Sequence, residues 1–464
     1  MNISIGSVQN LGAEEQIKLN NLIDVYNYHW NKNQLKQKYY EGAVTLNDVN
    51  LGLALPDGMG KLSVGCEWGG KAVDVLAARS MFDGYVSSDG SDYEELSQIM
   101  NDNNMISQYI KACKDELKFG CTFATLSADE KIGCKIRFHS PQTAAALWNG
   151  EKSRIDCGMA IIDTVPDEKD ENVWTPSHIN LYTDDAIWEL KKNEGYWVAF
   201  KHSHRMGRPL MIAMIWNGTS SKPFGRSRIK FPVRALIDGY IRTIANATIA
   251  LEFDTTPQKY LLGITDDQYD EIVGNKFKQY VGAILAATAN PETGLNPTVG
   301  QFQQGSLGPH VEMIRMLATQ FSAATGLSVV DTGVVNDANP TSSDAILAQS
   351  QTLVLLAEQL NTSNGDALKL IARMAMAIKK KKSLDSLDDE DNNIIAHFKN
   401  PAMPSVSVTA DAAIKIASAR EGFASTDTFL EMIGFSQADV RRIKSEESRA
   451  RGQELIAEFL DEES

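Results

Sequence analysis

Three groups of residues have types and spacings that could do chemistry. His202 and His204 stand two apart, and residues i and i+2 of a strand share a face, so both imidazoles could ligate one metal ion. No third ligand is evident, and alternation along a half-exposed strand accounts for the pair without a metal. Cys66 lies near Trp68 and Lys71, with no histidine close in sequence to take its proton, as an activated thiol needs. Lys222, Arg226, Arg228 and Lys230 flank Pro223. Such a basic cluster can meet phosphate, or it can form intersubunit ion pairs or a solvated turn. The turn is not a phosphate cradle, since GxxxxGK[ST] occurs nowhere in the chain. The residues thus point to no catalytic, cofactor-binding or metal site.

The elements that would position these groups are organised around Gly308–Lys382. Val311, Ile314, Leu317, Phe321 and Ala324 recur at steps of three and four, which predicts a helix with one apolar stripe, stopped by Gly326. Between Leu327 and Ser342, Gly333, Asn336, Asp337, Asn339 and Pro340 are turn formers, so a loop is expected with Val334 and Val335 at its crest. From Ser342 a second helix carries Ala345, Ile346, Leu353, Leu356, Ala357 and Leu360 on one side and can run, with a break near Asn364-Gly365, to Lys382. That far exceeds the usual helix of about 11 to 12 residues and suggests a large or oligomeric body.

Upstream, helices are expected over 13–41, 71–79 and 92–117. Between 119 and 216, short runs such as CTFATLSAD, GMAIIDTV, YWVAFKHSH and PLMIAMIW, separated by turns, predict an antiparallel sheet. With helices before a contiguous set of strands, the fold class is α+β. Pro232 opens a helix with Val233, Leu236, Ile237, Tyr240, Ile241 and Ile244 at helical spacing. A mixed insertion follows, with a strand at 259–264, a short helix at 265–274 and strand and loop at 281–307. The acidic run from Asp385 to Asp391 beside Lys379–Lys382 reads as an exposed junction. Helices are expected at 410–422, 426–433 and 436–460, the last with a cap-like Ser436 and Asp439.

The 464 residues allow two to four domains, and 43% hydrophobic with 23% charged residues excludes wholesale disorder. Five cysteines, odd in number and without a CxxC pair, point to free thiols in a reducing compartment. The first residues carry no leader pattern and no run reaches the ~18 apolar residues of a membrane span, so neither secretion nor membrane insertion is expected. The net charge of −15 excludes a tight static grip on nucleic acid, which needs cationic surface. It suits a surface past which DNA slides, and equally an acidic protein with no nucleic-acid role.

Several stretches together resemble the portal proteins of tailed bacteriophages, of the long-tailed, Gram-positive type. They are YYEG at 39–42, WGGKAVDVLAARSMFDGY at 68–85, PFGRSRI at 223–229, TPQKYLLGI at 256–264, ATGL at 324–327, NPTSSDAI at 339–346 and TDTFLEMIGFSQADVRRI at 426–443. Their order and spacing over about 400 residues carry the resemblance. It implies a portal fold: a wing at 1–230 with the long helix and junction at 342–399, stem helices at 231–254 and 309–327, a clip at 255–308, a tunnel loop at 328–341 and a crown at 400–464. It also implies a ring, usually dodecameric, at one capsid vertex, through which double-stranded DNA is packaged and ejected. The expected partners are further copies of the chain, the passing DNA, the terminase large subunit, the major capsid and scaffolding proteins and the head-tail adaptor. The expected place is the virion, after assembly in the host cytoplasm. On this reading Val334, Val335, Asn336 and Asp337 face the DNA through neutral and acidic atoms, and the packaging ATPase is another protein. The alternatives are another structural head-assembly protein and a metal-dependent enzyme using His202 and His204.

Overall fold

A computed structural model describes residues 2–45, 64–87, 94–167, 170, 173–193, 195–255, 259–265, 267, 289, 294, 296–301, 305–334, 343–402, 406–420, 422–435 and 437–462. In chain order the elements are β1 (Val8–Gln9), α1 (Ala13–Tyr40), α2 (Trp68–Ala77), β2 (Phe82–Ser87), α3 (Glu94–Asp102) and α4 (Met105–Phe119). Eight strands follow: β3 (Cys121–Asp129), β4 (Gly133–His139), β5 (Ala144–Asn149), β6 (Arg154–Pro166), β7 (Trp174–Tyr182), β8 (Ala186–Asn193), β9 (Tyr196–Ser203) and β10 (Met211–Ile215). Then come α5 (Phe231–Thr255), β11 (Lys259–Leu262), β12 (Thr298–Gln301), α6 (Gly308–Thr325), α7 (Ser343–Lys380), β13 (Ile394–Phe398), α8 (Val406–Ala419), α9 (Asp427–Ile433) and α10 (Gln437–Glu462). The mixture of helices and largely antiparallel strands is the expected α+β class.

The expected sheet is two sheets. One has the order β1-β9-β8-β7-β6-β5, antiparallel except where β1 joins β9, and the other the order β10-β3-β4. Leu19, Leu22, Ile23 and Tyr26 of α1 form an apolar stripe buried against Met159, Ile179, Leu181 and Leu190 of the six-stranded sheet. Each such side chain contributes about 1.5–3 kcal/mol on burial. A second, larger core joins α2, α4, the three-stranded sheet, the start of α5, the end of α6 and α7, through residues such as Leu76, Tyr109, Phe123, Ile237, Phe321 and Ile371.

Two local expectations are corrected and a third is refined. The helix over 92–117 is two helices, because Asn104 sits at φ 50, a left-handed conformation that asparagine tolerates and that breaks the helical ladder. The long helix α7 runs through Asn364-Gly365 without a break, since the buried Asn364 side chain bonds Tyr109 and Glu116 of α4 instead of turning the backbone. The acidic stretch after Lys382 is exposed at Asp385, Asp388, Asp389 and Glu390, as expected, yet it is anchored between and beside them. Leu384 and Leu387 are buried, and Asp391, 1% exposed, takes Lys380 Nζ at 2.7 Å. Directly after it, β13 pairs antiparallel with β2, about 300 residues upstream. Phe82–Ser87, beyond the helix expected over 71–79, is therefore a strand.

Helices α5 and α6 run antiparallel: Arg228, just before α5, bonds the carbonyl of Thr325 at the end of α6. Gly239 lets them approach, with Leu317 3.2 Å from where a Cβ would stand. The pair is joined at its far end through β11 and β12, which pair antiparallel. Most of the expected 265–274 helix and 281–307 stretch lies outside the described residues, as does Ser436.

Candidate functional site

The segment Gly225–Lys230 is fixed by backbone geometry against the end of α4. Gly225 adopts φ +70, and a Cβ there would stand 2.1 Å from Trp216 O and 2.7 Å from Gly120 O, so only glycine fits. The Arg226 N–H donates to Trp216 O at 3.1 Å and the Arg228 N–H to Leu117 O at 2.9 Å. The basic cluster is divided here: Arg228 is buried, while Lys222, Arg226 and Lys230 are exposed.

Arg228 turns inward, contrary to both the phosphate-contact and the ion-pair expectation. It is 7% exposed, and its guanidinium donates to Ala72 O of α2 and to Thr325 O of α6 at 2.5 Å. The Trp216 ring lies 5.8 Å away. Burial lowers its pKa to about 10, leaving it charged at neutral pH. The planar fork bonds a carbonyl within α2 and the last carbonyl of α6 at once, and so pins the base of the α5/α6 pair to α2. Trp68 of α2 completes that base, its ring 4.6 Å from Tyr240 and 4.9 Å from Phe321, its Nε1–H donating to Thr332 O at 3.2 Å.

Lys222, Arg226 and Lys230 remain exposed and line a cavity of about 420 Å³ together with Lys32, Lys36 and Arg234. Phe119, Phe123 and Phe224 give the cavity an apolar floor. No carboxylate lines it, and among the described residues none of these six cations has an ion pair. Lys36 Nζ donates to Phe119 O at 3.0 Å, and the Arg234 guanidinium to Ile229 O at 3.1 Å. Burial, with the nearby Arg234 and Lys32 charges, brings Lys36 down to about 8. Burial and the Lys32 and Lys36 charges likewise lower His29. The cavity is thus a concentration of uncompensated positive charge on a chain of net charge −15. Sequence reasoning missed Lys32, Lys36 and Arg234; the signals were the i, i+4 spacing of Lys32 and Lys36, which share a face of α1, and of Lys230 and Arg234 across the start of α5.

The two histidines do not converge. His202 Nε2 lies 3.5 Å from Glu189 Oε2, whereas His204 Nδ1 accepts from the Met206 N–H at 3.4 Å beyond the end of β9. Among the described residues no three His, Cys, Asp or Glu side chains gather as a metal site. All five cysteines are buried and unbridged, and burial pushes the Cys66 thiol up to about 12, which leaves it un-ionised at neutral pH. No helix is long and apolar enough to cross a membrane, among the described residues.

Of the loop after α6, Asp331 Oδ2 accepts from the Ser328 N–H and Oγ–H at 2.9 and 2.8 Å. Val334 is half-buried and packs on the larger core. Val335, Asn336 and Asp337 lie outside the described residues. Along the α5/α6 pair only the base is covered: Leu317 and Phe321 are buried, while Val311, Met316 and Leu251 are 46%, 47% and 45% exposed.

No curated protein matches the chain. Among solved structures it is similar to a chain in the virion of a native gene transfer agent particle, at TM-score 0.45 and 12% identity over 79% of this chain and 89% of that one. It is also similar to a chain in the neck of an empty particle of that agent computed with C6 symmetry, at TM-score 0.46 and 12% identity over 79% and 90%. A third similarity is to a chain in the neck of the native particle computed with C12 symmetry, at 0.44 and 13% over 79% and 89%. The decisive match is to the family "Phage portal protein, SPP1 Gp6-like", which spans residues 19–453 and sets aside the metal-dependent enzyme. The chain belongs to that family of phage portal proteins and is a structural component of the virion portal.

Proposed function

We propose that copies of the chain close into a ring, twelve in the expected form, around a channel at one capsid vertex through which double-stranded DNA is packaged and ejected. In this reading α5 and α6 are the stem, β11 and β12 belong to the clip, and the loop after α6 is the tunnel loop. The sheets with α1–α4 and α7 form the wing, and α8–α10 the crown. The observation that carries it is the half-covered α5/α6 pair. Its base is pinned by Arg228 and Trp68, yet Val311, Met316 and Leu251 further along are exposed. A helical pair is stable only when its apolar stripe is buried, and a second copy of the same pair is the surface that matches it around a ring. The acidic balance supports the channel. Twelve subunits of −15 make a formal charge of about −180, which repels phosphate and lets DNA pass without adhering.

The ring would dock the terminase large subunit during packaging and the head-tail adaptor afterwards, and sit among the major capsid and scaffolding proteins. Val335, Asn336 and Asp337, with Val334 at the start of the same loop, would meet the DNA through neutral and acidic atoms, without base readout. Deleting Asp331–Asn339 tests the reading. Capsid shells form but contain no DNA if the loop belongs to the channel; full packaging by that variant leaves a different head-assembly role.

A further inference from the structure

We propose that the hairpin joining β6 and β7 in one copy docks into the cationic cavity of the next copy, an inference that rests on the ring reading. The hairpin is an arm. β5 pairs with β6 only as far as Ala144↔Ala160, and β8 pairs with β7 only as far as His178↔Lys191. Beyond these, Thr164↔Pro176, Val165↔Thr175 and Pro166↔Trp174 pair within the hairpin, with no third strand beside them among the described residues. Its tip therefore reaches about 10 Å past the sheet at ~3.3 Å per residue. Two-stranded ribbons are marginal alone, and this one exposes Val165, Val173 and Trp174 by 40, 46 and 53%.

The arm is also acidic. Asp163, Asp167, Glu168, Asp170 and Glu171 stand against the single Lys169. Aromatic and aliphatic groups in an acidic stretch of sequence complement a phenylalanine floor flanked by Lys32, Lys36, Lys222, Arg226, Lys230 and Arg234. A DNA backbone offers the cations their counter-charge but nothing for the phenylalanines, so the observations favour protein over nucleic acid. Arm and cavity are different patches of one chain. A contact between different patches is heterologous and propagates head to tail, as a ring requires. The cavity cations then gain the carboxylates that the chain itself does not supply there, and Trp174, exposed in the single chain and covered on docking, anchors the contact.

The test uses rings assembled from mixed isotope-labelled and unlabelled full-length protein, treated with a zero-length carbodiimide that joins carboxylates to lysines. Labelled-to-unlabelled links between Asp163, Asp167 or Asp170 and Lys32, Lys222 or Lys230 are expected in the ring fraction. Their absence among other intersubunit links overturns the docking. A second arm reverses charge. Lys222→Glu/Arg226→Glu/Lys230→Glu and, separately, Asp163→Lys/Asp167→Lys/Asp170→Lys each lower the ring fraction about tenfold or more, and one chain carrying both sets recovers most of it. Rings unaffected by either set, or lost without recovery in the folded combined variant, overturn the docking and leave the ring standing. Intact rings that fail to pass DNA when the cavity is reversed place the cations on phosphate and overturn it too. Wild-type protein that forms no ring overturns the ring reading itself.

Discussion

Replacing Glu116 with glutamine is expected to remove most of a pH dependence that the wild-type fold cannot avoid. Glu116 of α4 is fully buried, with Oε2 accepting from Asn364 Nδ2 at 2.8 Å. Its Oε1 and the Asn364 Oδ1 are both buried without a partner. A proton on Oε1 would let it donate to the amide oxygen and satisfy both atoms, so the neutral acid is the form that fits. Burial raises the pKa from 4.5 to about 8, the Asn364 bond only partly opposing it. Below pH 4.5 both folded and unfolded chains carry the proton, and the group adds no pH dependence. Between 4.5 and 8 the unfolded chain loses the proton while the folded chain keeps it. Folding stability therefore falls as pH rises, by up to about 1.4 kcal/mol per unit, and levels off above 8.

The whole span corresponds to a loss on the order of 4 kcal/mol. Glu116→Gln presents the same two hydrogen bonds, an amide facing an amide, and cannot ionise. Urea unfolding followed by tryptophan fluorescence at pH 4.5, 6 and 8, at matched assembly state, is the assay. Wild type and variant are expected to agree within about 1 kcal/mol at pH 4.5 and to separate by roughly 3–4 kcal/mol in favour of the variant at pH 8. Because every other titrating group is common to both, the difference isolates this carboxyl. Parallel stability profiles across that range would refute the reasoning.

Other substitutions probe the base of the stem and the channel. Arg228→Lys keeps the charge but cannot reach Ala72 O and Thr325 O with one fork; a loss of about 2–3 kcal/mol is expected by chemical denaturation, and an unchanged midpoint contradicts the pinning role. Gly225→Ala must hold φ near +70 with a Cβ 2.1 Å from a carbonyl oxygen, so a loss of at least about 2 kcal/mol or failure to fold is expected, read by thermal melting. Asp337→Lys places a cation on the DNA path and is expected to slow translocation in a packaging assay; unchanged velocity counts against a repelling bore.

The helix-insertion-helix-loop-helix order was legible because Leu317, Phe321, Leu353, Ala357 and Leu360 repeat at helical spacing, a signal local to each segment. The resemblance found the portal family from motifs spread along the same order. What escaped depends on partners distant in the chain. FDGYVS at Phe82–Ser87 has no clear alternation and becomes a strand only because Ile394–Phe398 lies beside it. Arg228 read as a surface cation because sequence cannot say that carbonyls of two other helices await it. The cavity cations come from α1 and from the 222–234 stretch, so no window of sequence contains them together. Asn364 looked like a breaker, and is instead a buried hydrogen-bonding partner.

Particle mass and shape bear most directly on the portal ring. Purified full-length protein, weighed in solution and imaged by electron microscopy, is predicted to form annular particles with a central hole. Twelve chains of 51.0 kDa give about 0.6 MDa. A species that stays at the mass of one chain at every concentration, without a hole in any view, would contradict the account.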